Sequence, residues 1–234
     1  STVRIKPFRA WRPPADLVSR VASLPYDVVD THEARRLAAG NPSCFFHVSR
    51  AEIDLPDGTD VYSDAVYNKA AANFSALQAS GALTQDAAPA LYIYRLIRNG
   101  QAQHGLVTVC HTGDYEADII RKHEKTRKAP EDDRTRHIDA TNSHSGPVFL
   151  AYRDSGEVNA LVAAAERPAP LYDFTAADGV QHTVWRVEDS GALVDAFRRV
   201  PLAYIADGHH RAAAAARVAR ERRAAQPGAA GDGE

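Results

Sequence analysis

The chain has 234 residues, 28 Lys and Arg against 30 Asp and Glu, and 44% hydrophobic residues. That supports one good core, or a core with a smaller lobe. A formal net charge of -2 argues against a nucleic-acid partner, and no apolar run is long enough for a membrane span or a secretory leader.

Residues 1–11, "STVRIKPFRAW", alternate as a strand does. Residues 12–23 read as a helix opened by Pro13 and Pro14, whose missing N–H groups cost nothing in a first turn. Asp30 and Glu33 have capping-box spacing, and Gly40-Asn41 ends that helix. Residues 41–50, "NPSCFFHVSR", alternate apolar and polar and read as a buried strand. A longer helix is expected from Ser63 to Gly81, with Val66, Ala70, Phe74 and Leu77 on one face.

The clearest β signal surrounds Asn99-Gly100, where two β-rich runs predict a hairpin with a two-residue turn. Residues 129–140 predict a helix with Pro130 near its start and three carboxylates on the first turn, where the dipole favours them. "PVFLAYR" reads as a buried strand, and a second hairpin is expected around Asp178-Gly179. A helix at 189–200, a strand at 200–206 and an alanine-rich helix complete the pattern. Arg217, Arg220, Arg222 and Arg223 on that last helix read as a solvated face rather than a docking patch.

Interleaved hairpins and helices without a strict β-α rhythm predict an α+β, mixed-sheet fold. A soft boundary falls in "TQDAAPA", residues 84–90. It divides the chain into an N-terminal region at 1–88, a phosphate-binding domain at 89–225 and an unpacked tail at 226–234. Cys44 and Cys110 stand in no CxxC pair, so they read as core residues of a reducing, cytoplasmic compartment.

The chemistry concentrates in "YIADGHHRAAAAARV", residues 204–218. A helix that starts just after a strand offers unpaired N–H groups and the positive end of its dipole. Gly208 permits a sharp turn and close approach of an anion. His209, His210 and Arg211 add donors on the first turn, and Arg can grip phosphate with two parallel bonds. Asp207 would repel a bare phosphate, so it needs a role: holding Mg²⁺, orienting a hydroxyl or pairing with a histidine. A plain N-cap would explain Asp207 alone but not the two imidazoles and the guanidinium. A structural zinc site is not expected, because adjacent histidines point apart and no Cys or His cluster supplies further ligands.

These stretches, with "KPFRAWRP", "PYDVV", "KHEKT", "EDDR" and "GPVFLAYR", resemble the bacterial and archaeal family catalogued as domain of unknown function ten-fifteen. The strand–Asp-Gly-His-His-Arg–helix unit is similar to the phosphate turn of the ParB/sulfiredoxin-like superfamily, and within it to archaeal free-serine kinases. The resemblance implies a ParB/sulfiredoxin-like core with an N-terminal extension.

The second motif is "IIRKHEKTRKAPEDDR". A zincin helix fails there, because position 127 is Arg where the second His would stand. In the serine kinases a His-Glu pair supplies the base, and the resemblance carries that role to Glu124. The implied reaction is phosphorylation of a small metabolite's hydroxyl, with free L-serine a candidate, from ADP or ATP with Mg²⁺. Glu124 and Asp207 are its catalytic carboxylates, and Asp207 also holds the Mg²⁺. Gly208, His209, His210, Arg211, Lys122, His123 and Arg127 bind the phosphates. The alternative is a nucleotide-binding regulatory module of ParB type without turnover. A homo-oligomer is compatible with either.

Overall fold

Asn99 and Gly100 both sit at positive φ, 51° and 74°, the pair of left-handed residues that a two-residue hairpin turn needs. In the structure, a computed structural model that describes residues 1–226, they join strands Leu91–Arg98 and Gln101–Val107. The second hairpin, Tyr172–Thr175 with Gln181–Val187, turns through Gly179 at φ 83°. Leu91 pairs with Val187 and Ile97 with Gln181, which merges both hairpins into one four-stranded antiparallel sheet. Thr183 and Trp185 are buried at the period of two expected of a half-buried strand, while Leu91, Tyr92 and Ile93 are buried in succession.

The protein is α+β, and the chain forms two compact units. The sheet belongs to the first, built from Ser1–Ser19, Thr84–Arg121 and Ala151–Tyr204. The second comprises Arg20–Leu83, Lys122–Leu150 and the chain from Ile205 onward. Each gathers three separate stretches, so a cut into consecutive regions at 88 and 89 coincides with neither. The tail expected at 226–234 lies, apart from Gln226, outside the described residues. Among the described residues no helix is long and apolar enough to cross a membrane.

In the first unit, the helix expected from Pro13 onward is replaced by extended chain and a turn in which the Leu17 N–H donates to the Pro14 carbonyl. Only Val18–Val21 is helical. The Pro13 carbonyl accepts a hydrogen bond from the Tyr172 hydroxyl instead, so a tertiary partner overrides the local preference. Ile5–Lys6 pairs with Val109–Cys110, and Ala203 and Tyr204 run parallel to Ile120 and Arg121. Burial, with Asp114 nearby, pushes the Cys110 thiol up to about 11. Burial also raises the Cys44 thiol above its usual value. Neither sulfur is a thiolate at neutral pH. Where the chain passes from the second unit to the first, strand Phe149–Ala151 departs from the buried strand expected there, since Phe149 is 48% exposed.

The second unit is mainly helical. Asp30 caps Thr31–Ala38 by accepting from the Glu33 N–H, as the capping-box spacing predicts. Asp64–Ala79 buries Val66, Tyr67, Ala70, Phe74 and Leu77, at helical spacing. Residues 41–50 are not a strand: Phe46–Ser49 is a short helix with Cys44 buried just before it. The apolar side chains Phe46, Val48 and Cys44 turn inward in successive tight turns, a pattern that alternation over so short a run cannot distinguish from a strand.

Helix Lys128–Thr141 packs on helix His209–Ala225, with Ile138, Ala214 and Val218 between them. The helix begins at Lys128, so only Glu131 of the three expected carboxylates falls in its first turn. Arg217 donates to Asp132 at 2.6 Å and lies 3.5 Å from Glu131, and Arg222 reaches Asn142 and Asp139. Arg217 and Arg222 are therefore not simply a solvated face; they clasp one helix to the other.

His137 is buried in this unit, and its Nε2 lies 2.9 Å from the Val48 carbonyl, which fixes Nε2 as the protonated nitrogen. Burial first, then Arg134, holds its pKa below the ordinary value, against Val48 and Asp133. The unfolded chain takes this proton at about pH 6.5 while the folded protein refuses it until lower pH. Stability is thus fully present above that pH and falls as pH drops below it, by at most about 1.4 kcal/mol per pH unit for one proton. Urea midpoints measured across pH 5–7.5 should show that slope, and His137→Gln should flatten it.

Candidate functional site

Strand Ala203–Asp207 delivers the chain to Gly208, at φ 93° and ψ 37°, and helix His209–Ala225 begins at once. Gly208 occupies the N-cap position and no side chain caps this helix, so Asp207 is not a plain N-cap. Instead the Asp207 carboxylate is 72% exposed and lies 3.5 Å from the Arg211 guanidinium. Small residues behind the turn, Ala213, Ala214 and Ala216, are buried and let the helix lie close on its neighbours.

The two imidazoles do not simply point outward. His209 Nε2 accepts from the His123 amide at 3.4 Å, and His210 Nε2 accepts from the Arg127 amide at 3.1 Å. Each ring thus holds one end of the loop that carries Glu124. His123 stands edge-on to His209, with ring centroids 4.4 Å apart. Burial and the neighbouring His123 keep His209 below its ordinary pKa, opposed by Glu124.

A cleft of about 120 Å³ lies at this turn, lined by Glu124, Asp207, Gly208, His209, His210 and Arg211 together with Tyr26 and Asp27. Its volume is of the order of a few waters or one phosphate-sized anion. Arg211 is only 11% exposed: it donates to the Pro147 carbonyl and pairs with Asp27 at 3.0 Å. Burial alone would lower the pKa of Arg211, but Tyr26 and Asp27 outweigh it and raise it. The guanidinium lines the cleft but is already bonded, so it could grip an anion only by sharing or exchanging Asp27.

A larger cleft of about 310 Å³, at the lower end of small-ligand sites, shares Tyr26, Asp27 and His210 with the first. Arg127, Arg50, Tyr67, Asp133 and Arg134 also line it. Arg134 is not on an open helix surface: it pairs with Asp133 at 2.7 Å and lies 3.8 Å from the centre of the Tyr26 ring. Arg211 approaches the same ring at 5.6 Å. Two cations therefore lie within reach of the Tyr26 ring. Lys122 is exposed and lines neither cleft.

The site residues of both motifs thus meet within the second unit, with Tyr26 and Asp27 from the three-residue helical turn Tyr26–Val28. Sequence reasoning gave those two no role, although "PYDVV" is among the stretches that carry the family resemblance.

The description "Protein of unknown function (DUF1015)" matches residues 5–234. The chain belongs to the DUF1015 family. No curated protein and no solved structure matches it. Within this DUF1015 chain, every residue lining either cleft comes from the second unit.

Gly208 combines a left-handed backbone with a close side-chain neighbour. An added Cβ would meet the Arg211 guanidinium at 3.2–3.3 Å, on a backbone that L residues rarely adopt. Gly208→Ala should destabilise the protein by about 1–2 kcal/mol from the left-handed strain alone. It should also displace Arg211, which a denaturation midpoint and a phosphate titration would register together.

Proposed function

We propose that this protein transfers a phosphoryl group from ADP or ATP to the hydroxyl of a small metabolite, free L-serine being the first to try. The observation that carries this reading is the convergence of Glu124, Asp207 and Arg211 on one small cleft at an uncapped helix N-terminus. The first-turn amides and the helix dipole suit the transferred phosphate. Glu124 is 61% exposed beside that turn, free to approach an acceptor hydroxyl and take its proton. The adjoining larger cleft, with Arg127, Arg134 and Tyr26, offers room and charge for the rest of the donor or acceptor.

Asp27 and Asp207 both line the small cleft, and carboxylate oxygens beside a phosphate fit Mg²⁺, which usually takes one or two of them along with substrate phosphates. When bound, the ion neutralises charge on the transferring group. His209 and His210 hold the Glu124 loop through its amides, so in this reading they are positioning residues.

The core would be ParB/sulfiredoxin-like, and a ParB-type nucleotide-binding module is the second reading. What favours it is the prior commitment of Arg211 to Asp27 and Pro147, a pairing that a nucleotide could exchange as a switch. Incubating the full chain with ADP or ATP, Mg²⁺ and pooled hydroxyl metabolites, and following phosphorus by NMR, separates the two. A new phosphate ester supports transfer. Saturable nucleotide binding with no ester overturns it in favour of the module.

A further inference from the structure

His123, Glu124 and His209 each bring one ligand atom to within 4.8 Å of the others. Glu124 lies between the imidazoles, with Oε1 3.9 Å from His123 Nε2 and Oε2 3.8 Å from His209 Nδ1. Those separations are too long for hydrogen bonds, so the three groups face one another without satisfying one another. Ligand atoms about 2.0–2.1 Å from a tetrahedral ion lie about 3.3 Å apart. Closing a set whose atoms lie within 4.8 Å of one another therefore takes a contraction of up to about 1.5 Å. His123 and Glu124 sit on an exposed loop that can make that movement, while His209 is 7% exposed and fixed at the helix start.

We infer that His123, Glu124 and His209 form a site for a borderline first-row divalent ion of the zinc type, with one coordination position open to the cleft of Asp207, Gly208 and Arg211. Two imidazole nitrogens with one carboxylate oxygen suit zinc and its neighbours and do not suit Mg²⁺, which prefers oxygen throughout. Three protein ligands with an open fourth position is the arrangement of reactive rather than structural zinc sites. The open side faces the anion-sized cleft, since Glu124 and His209 both line it.

His209 would ligate through Nδ1, the ring nitrogen nearest Glu124 at 3.8 Å. Coordination through Nδ1 leaves the ring proton on Nε2 and gives up the 3.4 Å bond from the His123 amide. The loop must therefore shift as the ion enters. This inference goes beyond the phosphoryl-transfer reading and does not rest on it. Where that reading holds, an ion on Glu124 removes the base, so zinc would inhibit turnover.

The test uses the full chain, stripped with a chelator and dialysed against Zn²⁺ and, separately, Co²⁺. One ion per chain is expected, with the visible absorption of imidazole-bound Co²⁺, and Mg²⁺ should not displace it. His123→Ala and Glu124→Gln should each weaken binding by about tenfold or more, while circular dichroism shows both variants folded. His32→Ala, an exposed histidine outside the cluster, should leave affinity unchanged. Because His209→Ala could unseat the helix start, the two loop variants decide the matter. Absence of stoichiometric binding, parental affinity retained in both loop variants, or displacement by Mg²⁺ at matching concentration would each overturn the site. None of these readouts depends on turnover, so a failed kinase assay leaves the result interpretable.

Discussion

Glu124→Gln is expected to lower phosphoryl transfer by about 10²–10⁴-fold, the range for loss of a positioned base, with nucleotide affinity near that of the parent. The amide keeps the size of the carboxylate but cannot accept a proton from the acceptor hydroxyl. The carboxylate is exposed beside the turn, 3.8 Å from His209, and the loop around it is held by amides of His123 and Arg127. The substitution therefore leaves the loop's anchors intact. Arg211→Ala should behave differently. It removes the guanidinium that touches Asp27, Asp207 and Pro147, and should weaken a phosphorylated ligand by about 1.5–3 kcal/mol. Turnover and nucleotide titrations on both variants distinguish the roles. If Glu124→Gln retains full turnover, Glu124 is not the base.

The largest effect on stability is expected at Asp114, in the first unit. Its carboxylate is wholly buried. Oδ2 accepts from the Arg4 amide at 2.9 Å, and Oδ1 accepts from two guanidinium nitrogens at 2.8 and 3.0 Å. This fork ties residue 4 to the short helix Thr112–Glu116, next to the pairing of Ile5 with Cys110. Asp114→Asn would turn an NH₂ toward donors and should cost about 2–4 kcal/mol, somewhat below a fully buried pair because Arg4 is 55% exposed and can recover water. Arg4→Ala should cost less, about 1–2 kcal/mol, since the Arg4 backbone N–H still meets the carboxylate. Chemical denaturation of both variants and of the double mutant would measure the coupling.

Both hairpins, the Asp30-capped helix, the long helix of residues 64–79 and the strand–Gly208–helix turn were legible in the sequence, because each rests on local chemistry. A left-handed Asn-Gly pair, an N-cap, a helical stripe and a glycine between strand and helix act over a few residues. The proline-led helix at residues 12–23 and the strand at 41–50 were misread. A hydroxyl from Tyr172 claimed the Pro13 carbonyl, and successive tight turns bury Cys44, Phe46 and Val48. Those partners are distant or conformational, and no window of sequence displays them.

The site divides the same way. The residue types at 122–127 and 207–211 mark them as chemistry-bearing by themselves, since a plain cap needs neither two imidazoles nor an arginine. Only the tertiary structure decided that His209 and His210 accept hydrogen bonds from amides of that loop, that Asp27 already holds Arg211, and that Arg134 and Arg211 both approach the Tyr26 ring. It also decided that ligand atoms of His123, Glu124 and His209 lie within 4.8 Å of one another. The reason is physical: propensity and capping act along the chain, whereas a cleft or ligand set forms where distant segments pack together.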